Sequence, residues 1–134
     1  MRAVIILTEE QAAAIRAAAL QSYPRECCGL LIGEGDAVGR VVAAPNIARD
    51  PVSHFEIDPQ ILFDQARSAR ETNMRILGHY HSHPNGRGEP SDADLLMAHD
   101  PDAVWLVAAV NGDAVSLRAF VPGNGGFREI PLET

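Results

Sequence analysis

The stretch GHYHSHPNGRGEPSDADLL, residues 78–96, decides how this chain is read. It begins as a strand, places three histidines within five residues, stops at Pro84, crosses a Pro/Gly-rich loop to Pro90 and ends on a helix start at Ser91. On an extended strand, residues two apart share a face about 6.6 Å from each other, a gap that two imidazoles close by converging on one ion. His81 and His83 make such a pair. His79 has the same parity but stands about 13 Å from His83, beyond reach of the same ion unless the strand bends. A third ligand therefore comes from outside the strand. Asp94 is best placed for it, because loop 85–90, with its two glycines, can turn the chain back so that the helix start faces the histidines. Two imidazoles and one carboxylate are a common catalytic zinc set that leaves a fourth position for water. The plain structural alternative is a capping box, Ser91-x-x-Asp94, beside solvated strand-end histidines.

Working outward, residues 75–81 read as the strand that carries the histidines and residues 91–99 as the helix after the loop. Residues 104–110 are nearly all apolar and read as a buried central strand, Asn111-Gly112-Asp113 as a hairpin turn and residues 114–121 as the returning strand. Toward the N-terminus, residues 3–7 are a short β-rich run. Thr8, with Gln11 three positions on, opens an Ala-rich helix to about residue 21, which Pro24 ends. Residues 28–33 and 39–44 pair as a hairpin across Glu34-Gly35-Asp36. A polar loop at 46–52 leads to a short strand at 54–57, and Asp58-Pro59 opens a second helix through about residue 72. Residues 127–130 form a last strand. The expected fold is α/β: one mixed domain over residues 1–134, with a central, mostly antiparallel sheet flanked by helices.

The totals narrow the function classes. A chain of 134 residues buries roughly two-thirds of its unfolded surface and needs no staple. No apolar run reaches the roughly 20 residues of a membrane span, so no membrane partner is expected. The N-terminus MRAVIILTEEQ lacks the apolar core and cleavage site of a secretory signal and reads as the first strand of a cytoplasmic protein. A formal charge of −7 without a Lys/Arg cluster argues against nucleic acid and favours a partner with a basic face. Cys27 and Cys28 are adjacent, which strains a mutual disulfide and suits a reducing compartment.

A hydrolytic zinc site also needs a carboxylate that takes a proton from water and delivers it to a leaving amine. Glu26, Glu56, Asp58 and Glu89 are all eligible by composition, and spacing does not choose among them. Glu26 differs only in opening the strand CCGLLIG.

The chain resembles the JAMM (MPN+) metalloprotease family, whose pattern is an upstream Glu, then H-x-H-P, six residues, S, two residues and D. Glu26, His81-Ser82-His83-Pro84, Ser91 and Asp94 match it at every position, and PRECCGLLIG at residues 24–33 resembles the family's first motif. The resemblance covers nearly the whole chain. It implies an MPN-like, cytidine-deaminase-like fold in which His81, His83 and Asp94 hold one Zn2+ with a bound water. Glu26 would act as general base and acid, and Ser91 would stabilise the oxyanion. It implies cleavage of peptide or isopeptide bonds after the C-terminal Gly-Gly tail of a ubiquitin-like protein. The compact size resembles members linked to sulfur-carrier proteins, hence a place in sulfur or cysteine metabolism. Three other family-level readings remain: a catalytically inactive MPN-type scaffold, which loses ligands this chain keeps; a RadC-like DNA-repair-associated protein, which adds DNA-binding helices and a basic face; and a phage-tail or peptidoglycan peptidase, which comes fused to a second hydrolase.

The remaining candidates take plain readings. His54 and His99 read as surface histidines, Trp105 as core, and His79 as either a support for the site or a ring stacked near His81. No nearby motif supplies an activated thiolate for a cysteine protease, and adjacent cysteines point to opposite faces of a strand. The expected assembly is a monomer or homodimer.

Overall fold

The computed structural model describes residues 2–134. In chain order they form β1 (Ile5–Ile6), α1 (Glu9–Ser22), β2 (Cys28–Glu34), β3 (Ala37–Ala44), α2 (Pro59–Glu71), β4 (Arg75–His83), α3 (Asp92–Leu96), β5 (Val104–Asn111), β6 (Ala114–Gly123), β7 (Gly126–Ile130) and β8 (Leu132–Glu133). The strands make one eight-stranded sheet in the order β7-β6-β5-β4-β2-β3-β1-β8. The hairpins β2/β3, β5/β6 and β6/β7 and the pair β2/β4 are antiparallel. β4 and β5 run parallel, as does β1 with both its neighbours. The expected mixed α/β fold, a mostly antiparallel sheet flanked by helices, is the one observed.

α1 begins as the sequence indicates: Thr8 Oγ1 accepts from the Gln11 amide at 3.1 Å and Gln11 Oε1 accepts from the Thr8 amide at 2.9 Å. It buries Ala12, Ile15 and Ala19, and the last two join Ile5, Leu7, Leu31, Tyr80, Leu106, Ala108 and Val121 in the main core. On the opposite face α2 sets Ala69 against Leu30 and Ile32.

One irregularity orients the site. Leu31 pairs with Gly78 but Ile32 pairs with Ile76, so β4 carries an extra residue at Leu77. A bulge resets the two-residue alternation of a strand. Leu77 therefore joins Tyr80 in the α1 core, while Ile76 packs on the α2 side. Beyond the bulge, His79, His81 and His83 follow the parity of their β5 partners Trp105, Val107 and Ala109, away from α1. Because β4 and β5 are parallel, a crossover must join them. That crossover, residues 84–103, carries Asp94 back over the carboxyl end of β4.

Two expectations are corrected and one strand is added. Residues 54–57 are not a strand: the Asn46 side chain takes up the His54 carbonyl and the Glu56 amide, leaving only Ile47 N–H to Glu56 O as a ladder-like bond. The helix after Ser91 ends at Leu96 rather than near residue 99. Pro101 biases Asp100 away from helical backbone, and Asp100 Oδ1 instead accepts from the Asp102 amide at 2.9 Å. β8 was not anticipated. It pairs with β1 at the edge opposite β7, so the sheet curls until Pro131 alone bridges its two edges. Among the described residues no helix is long and apolar enough to cross a membrane.

Candidate metal centre

Register accounts for the cluster. Antiparallel pairing of Cys28 with His81 continues one step further, with Ser82 N–H donating to Cys27 O at 3.0 Å and Cys27 N–H to Ser82 Oγ at 2.7 Å. Two residues before the start of β2, Glu26 brings its carboxylate within 4.8 Å of the His81 and His83 ring nitrogens. Glu26, His81, His83 and Asp94 are all buried. His81 Nε2 and His83 Nε2 are 3.1 Å apart, and Asp94 Oδ2 lies 3.2 Å from the first and 3.3 Å from the second. Donors about 2.0 Å from a tetrahedral ion stand about 3.3 Å from one another, so this triangle fits one face of such a site. The donor set also fits. His83 Nδ1 is 2.9 Å from the Arg87 carbonyl, which only accepts, so the proton sits on Nδ1 and the Nε2 lone pair faces the triangle.

Glu26, His81 and His83 form a second, looser group whose ligand atoms lie within 4.8 Å of one another. The two triads share the histidine pair and differ in tightness. Glu26 Oε1 is buried with no hydrogen-bond partner. Its chain position is fixed by its amide, which donates to Pro51 O at 2.8 Å, and by its carbonyl, which accepts from Asn46 Nδ2 at 2.9 Å.

The capping box at Ser91 is real as well. Ser91 Oγ accepts from the Asp94 amide at 3.0 Å and Asp94 Oδ2 accepts from the Ser91 amide at 2.8 Å. One carboxylate oxygen thus serves both the cap and the triangle, and the two readings of Asp94 coexist. With a lone pair of Ser91 Oγ given to the cap, its O–H proton remains free to donate.

The two carboxylates are electrostatically opposite. Burial pushes Glu26 from 4.5 up to about 7, opposed by His83 and reinforced by the negative charges of Asp94 and Asp50. Burial acts on Asp94 too, but its contacts with His81 and His83 and the Ser91 amide outweigh it and hold the carboxyl well below the usual range. Burial also lowers His81, whereas for His83 the bonds to Asp94 and Arg87 O outweigh burial and raise it.

His79 does not reach the triangle. It lies between Phe55 (centroids 5.0 Å) and the edge of Trp105 (4.3 Å) and stacks toward His81 at 5.5 Å, with burial pushing it down to about 3. Trp105 is buried, as expected, but it packs against the site histidines rather than in the α1 core. Asp58 caps α2 by accepting from the Gln60 amide, while Glu56 and Glu89 are exposed. His54 and His99 are exposed. Burial raises both thiols, Cys28 to about 12, which leaves no thiolate near neutrality. Sequence reasoning missed Phe55, which stacks on His81 at 4.4 Å and 14°, and Asn46. Neither has a spacing signature; a Pro-Asn pair opening a polar loop was the only hint.

Residues 8–121 match the family described as prokaryotic homologs of the JAB domain. The chain belongs to this family. A desampylase from Haloferax volcanii is 33% identical to this JAB-domain chain over 91 residues, 66% of either protein. A probable TtuB-protein conjugate cleaving protease from Thermus thermophilus is 32% identical over 110 residues, 82% of this chain and 70% of the relative. Tail tip assembly protein K of Escherichia phage N15 is 36% identical over 120 residues, 89% of this chain and 44% of the relative. The chain thus spans just under two-thirds of the desampylase and less than half of the phage protein. A solution structure of a Desulfitobacterium hafniense protein has the same fold as this chain, with a TM-score of 0.84 at 32% identity, covering 96% of this chain and 90% of that one.

Proposed function

We propose that the protein is a zinc-dependent peptidase or isopeptidase that hydrolyses the bond after the C-terminal glycines of a ubiquitin-like or sulfur-carrier protein. The observation that carries the reading is the 3.1–3.3 Å triangle of His81, His83 and Asp94 with a proton-holding carboxylate, Glu26, beside it. His81, His83 and Asp94 would hold Zn2+, and Glu26, in the looser group, would serve as base rather than ligand. When bound, the ion polarises the scissile carbonyl and lowers the pKa of water.

The chain's own groups do the rest. Glu26 takes a proton from the attacking water and delivers it to the leaving amine nitrogen, a role suited to a carboxyl whose proton affinity lies near neutrality. Its unpartnered Oε1 leaves it free to receive that proton. Ser91 Oγ–H donates to the developing oxyanion from the N-terminus of α3, where the capping geometry fixes its position. Phe55 and Trp105 exclude water from the back of His81. The names of the desampylase and the TtuB-conjugate protease favour a conjugate of a ubiquitin-like protein as the substrate.

The test is zinc per chain by elemental mass spectrometry, followed by cleavage of a sulfur-carrier protein extended beyond its Gly-Gly tail. Near one zinc and release of the extension is the expected result; a zinc-loaded protein that leaves the extension intact would refute the substrate. A phage-tail or peptidoglycan peptidase is the second reading; the phage relative is named only for tail tip assembly, and a cell-wall peptide belongs in the same assay as the arm that decides it.

A further inference from the structure

Residues 45–57 link β3 to α2 with neither helix nor strand, yet they carry Phe55 over His81 and face the segment that presents Glu26. One side chain organises them. Asn46 Nδ2 donates to Glu26 O at 2.9 Å and His54 O at 2.9 Å, and reaches Pro51 O at 3.5 Å. Asn46 Oδ1 accepts from the Ala48 amide at 3.0 Å and the Glu56 amide at 3.1 Å. An amide offers two donor hydrogens and two acceptor lone pairs, and all are used. The partners fix its orientation, since carbonyls face one end and N–H groups the other.

We infer that Asn46 is the positioning residue for Glu26, an inference that rests on the proposed hydrolysis. The amide bonds the carbonyl of Glu26 directly. Through Pro51 it also borders the acceptor of the Glu26 N–H, so both backbone groups of the base depend on the loop that Asn46 closes. The same side chain grips the residues on either side of Phe55. Loss of the clip frees the Glu26 backbone to shift, and a displacement of about 1 Å at a reacting group can cost on the order of 100-fold in rate. The backbone of the ligand triangle has no such dependence, because His81 and His83 lie on β4 and Asp94 on α3, and Phe55 meets only the face of the His81 ring.

The test is a double-mutant cycle on zinc-loaded full-length protein, with cleavage of the tail-extended carrier as readout. Asn46→Asp keeps the acceptor that holds Ala48 and Glu56 but turns the donor into an oxygen facing two carbonyls; Asn46→Ala removes both ends. Each is expected to lower kcat about 30- to 100-fold at unchanged KM and zinc content, and to cost nothing further in a Glu26→Ala background. An equal loss in both backgrounds, or no loss at all, overturns the inference. Should wild type cleave no substrate, the hydrolase reading fails on its own, and hydrogen exchange judges the clip. Asn46→Asp must then raise exchange of the Glu26 amide at least tenfold while β5 amides stay protected; unchanged exchange refutes it.

Discussion

Replacing Glu26, the proposed base, should stabilise the protein while abolishing the proposed hydrolysis. Glu26 titrates at about 7 instead of 4.5, and burial is the main cause. Between these values the folded protein holds a proton that the unfolded chain has lost, so stability falls as pH rises, and above about pH 7 the whole penalty is present. At 1.36 kcal/mol per pKa unit the gap corresponds to roughly 3 kcal/mol, and relaxation of the site around the charged carboxylate reduces this to about 1–2 kcal/mol. Glu26→Gln removes the charge while keeping the shape. In urea unfolding of EDTA-treated protein at pH 8, the variant should therefore be about 1–2 kcal/mol more stable than wild type. The advantage should shrink through pH 6 and vanish near pH 4.5. A variant no more stable than wild type at pH 8 refutes the reasoning. So does an advantage independent of pH, which would mean that the carboxamide had merely gained a hydrogen bond.

Asp94→Asn should lower zinc from near one per chain to near zero by elemental analysis. The melting temperature of EDTA-treated protein should move by only a few degrees, because the carboxamide oxygen still accepts from the Ser91 amide. Ser91→Ala should keep the zinc, lose about 1 kcal/mol of stability with the cap, and lower kcat on the order of 100-fold. Gly78→Ala should destabilise by about 3 kcal/mol in urea unfolding, since an added Cβ falls on the Val104 backbone where β4 and β5 pair; a near-neutral effect would count against that register.

The parts of the molecule written in local chemistry were legible. Thr8 with Gln11, Ser91 with Asp94, and Asp58-Pro59 are side chains that satisfy backbone groups within three residues, and each starts a helix where the sequence places it. The two-residue spacing of His81 and His83 survives because both lie beyond the bulge, on regular strand. What escaped depends on partners far away in sequence. The apparent strand at 54–57 has the right residues, but its hydrogen bonds go to Asn46 instead of a neighbouring strand. β8 is two residues long and exists because the curled sheet brings the β1 edge to meet it. The choice of Glu26 over three other acids rested on resemblance, since its burial and its place beside His81 and His83 follow from strand register.

The division of labour between two chemically similar acids follows from where the fold ends each one. Asp94 sits at a helix start, where an amide and two imidazoles reward its charge and hold its carboxyl well below the usual carboxylate range. Glu26 sits beyond the end of a strand, with its oxygen out of water and no donor facing it, so its charge is resisted until about pH 7. A cation between the histidines needs the first kind of carboxylate, and a proton that must come and go near neutrality needs the second. Each environment is assembled by the same sheet: β4 carries the histidines to its carboxyl end, β2 delivers Glu26 from the antiparallel side, and the parallel crossover to β5 returns Asp94 from the other. Exchanging the two acids would leave the composition unchanged and remove both proposed roles, because neither site supplies the environment the other requires.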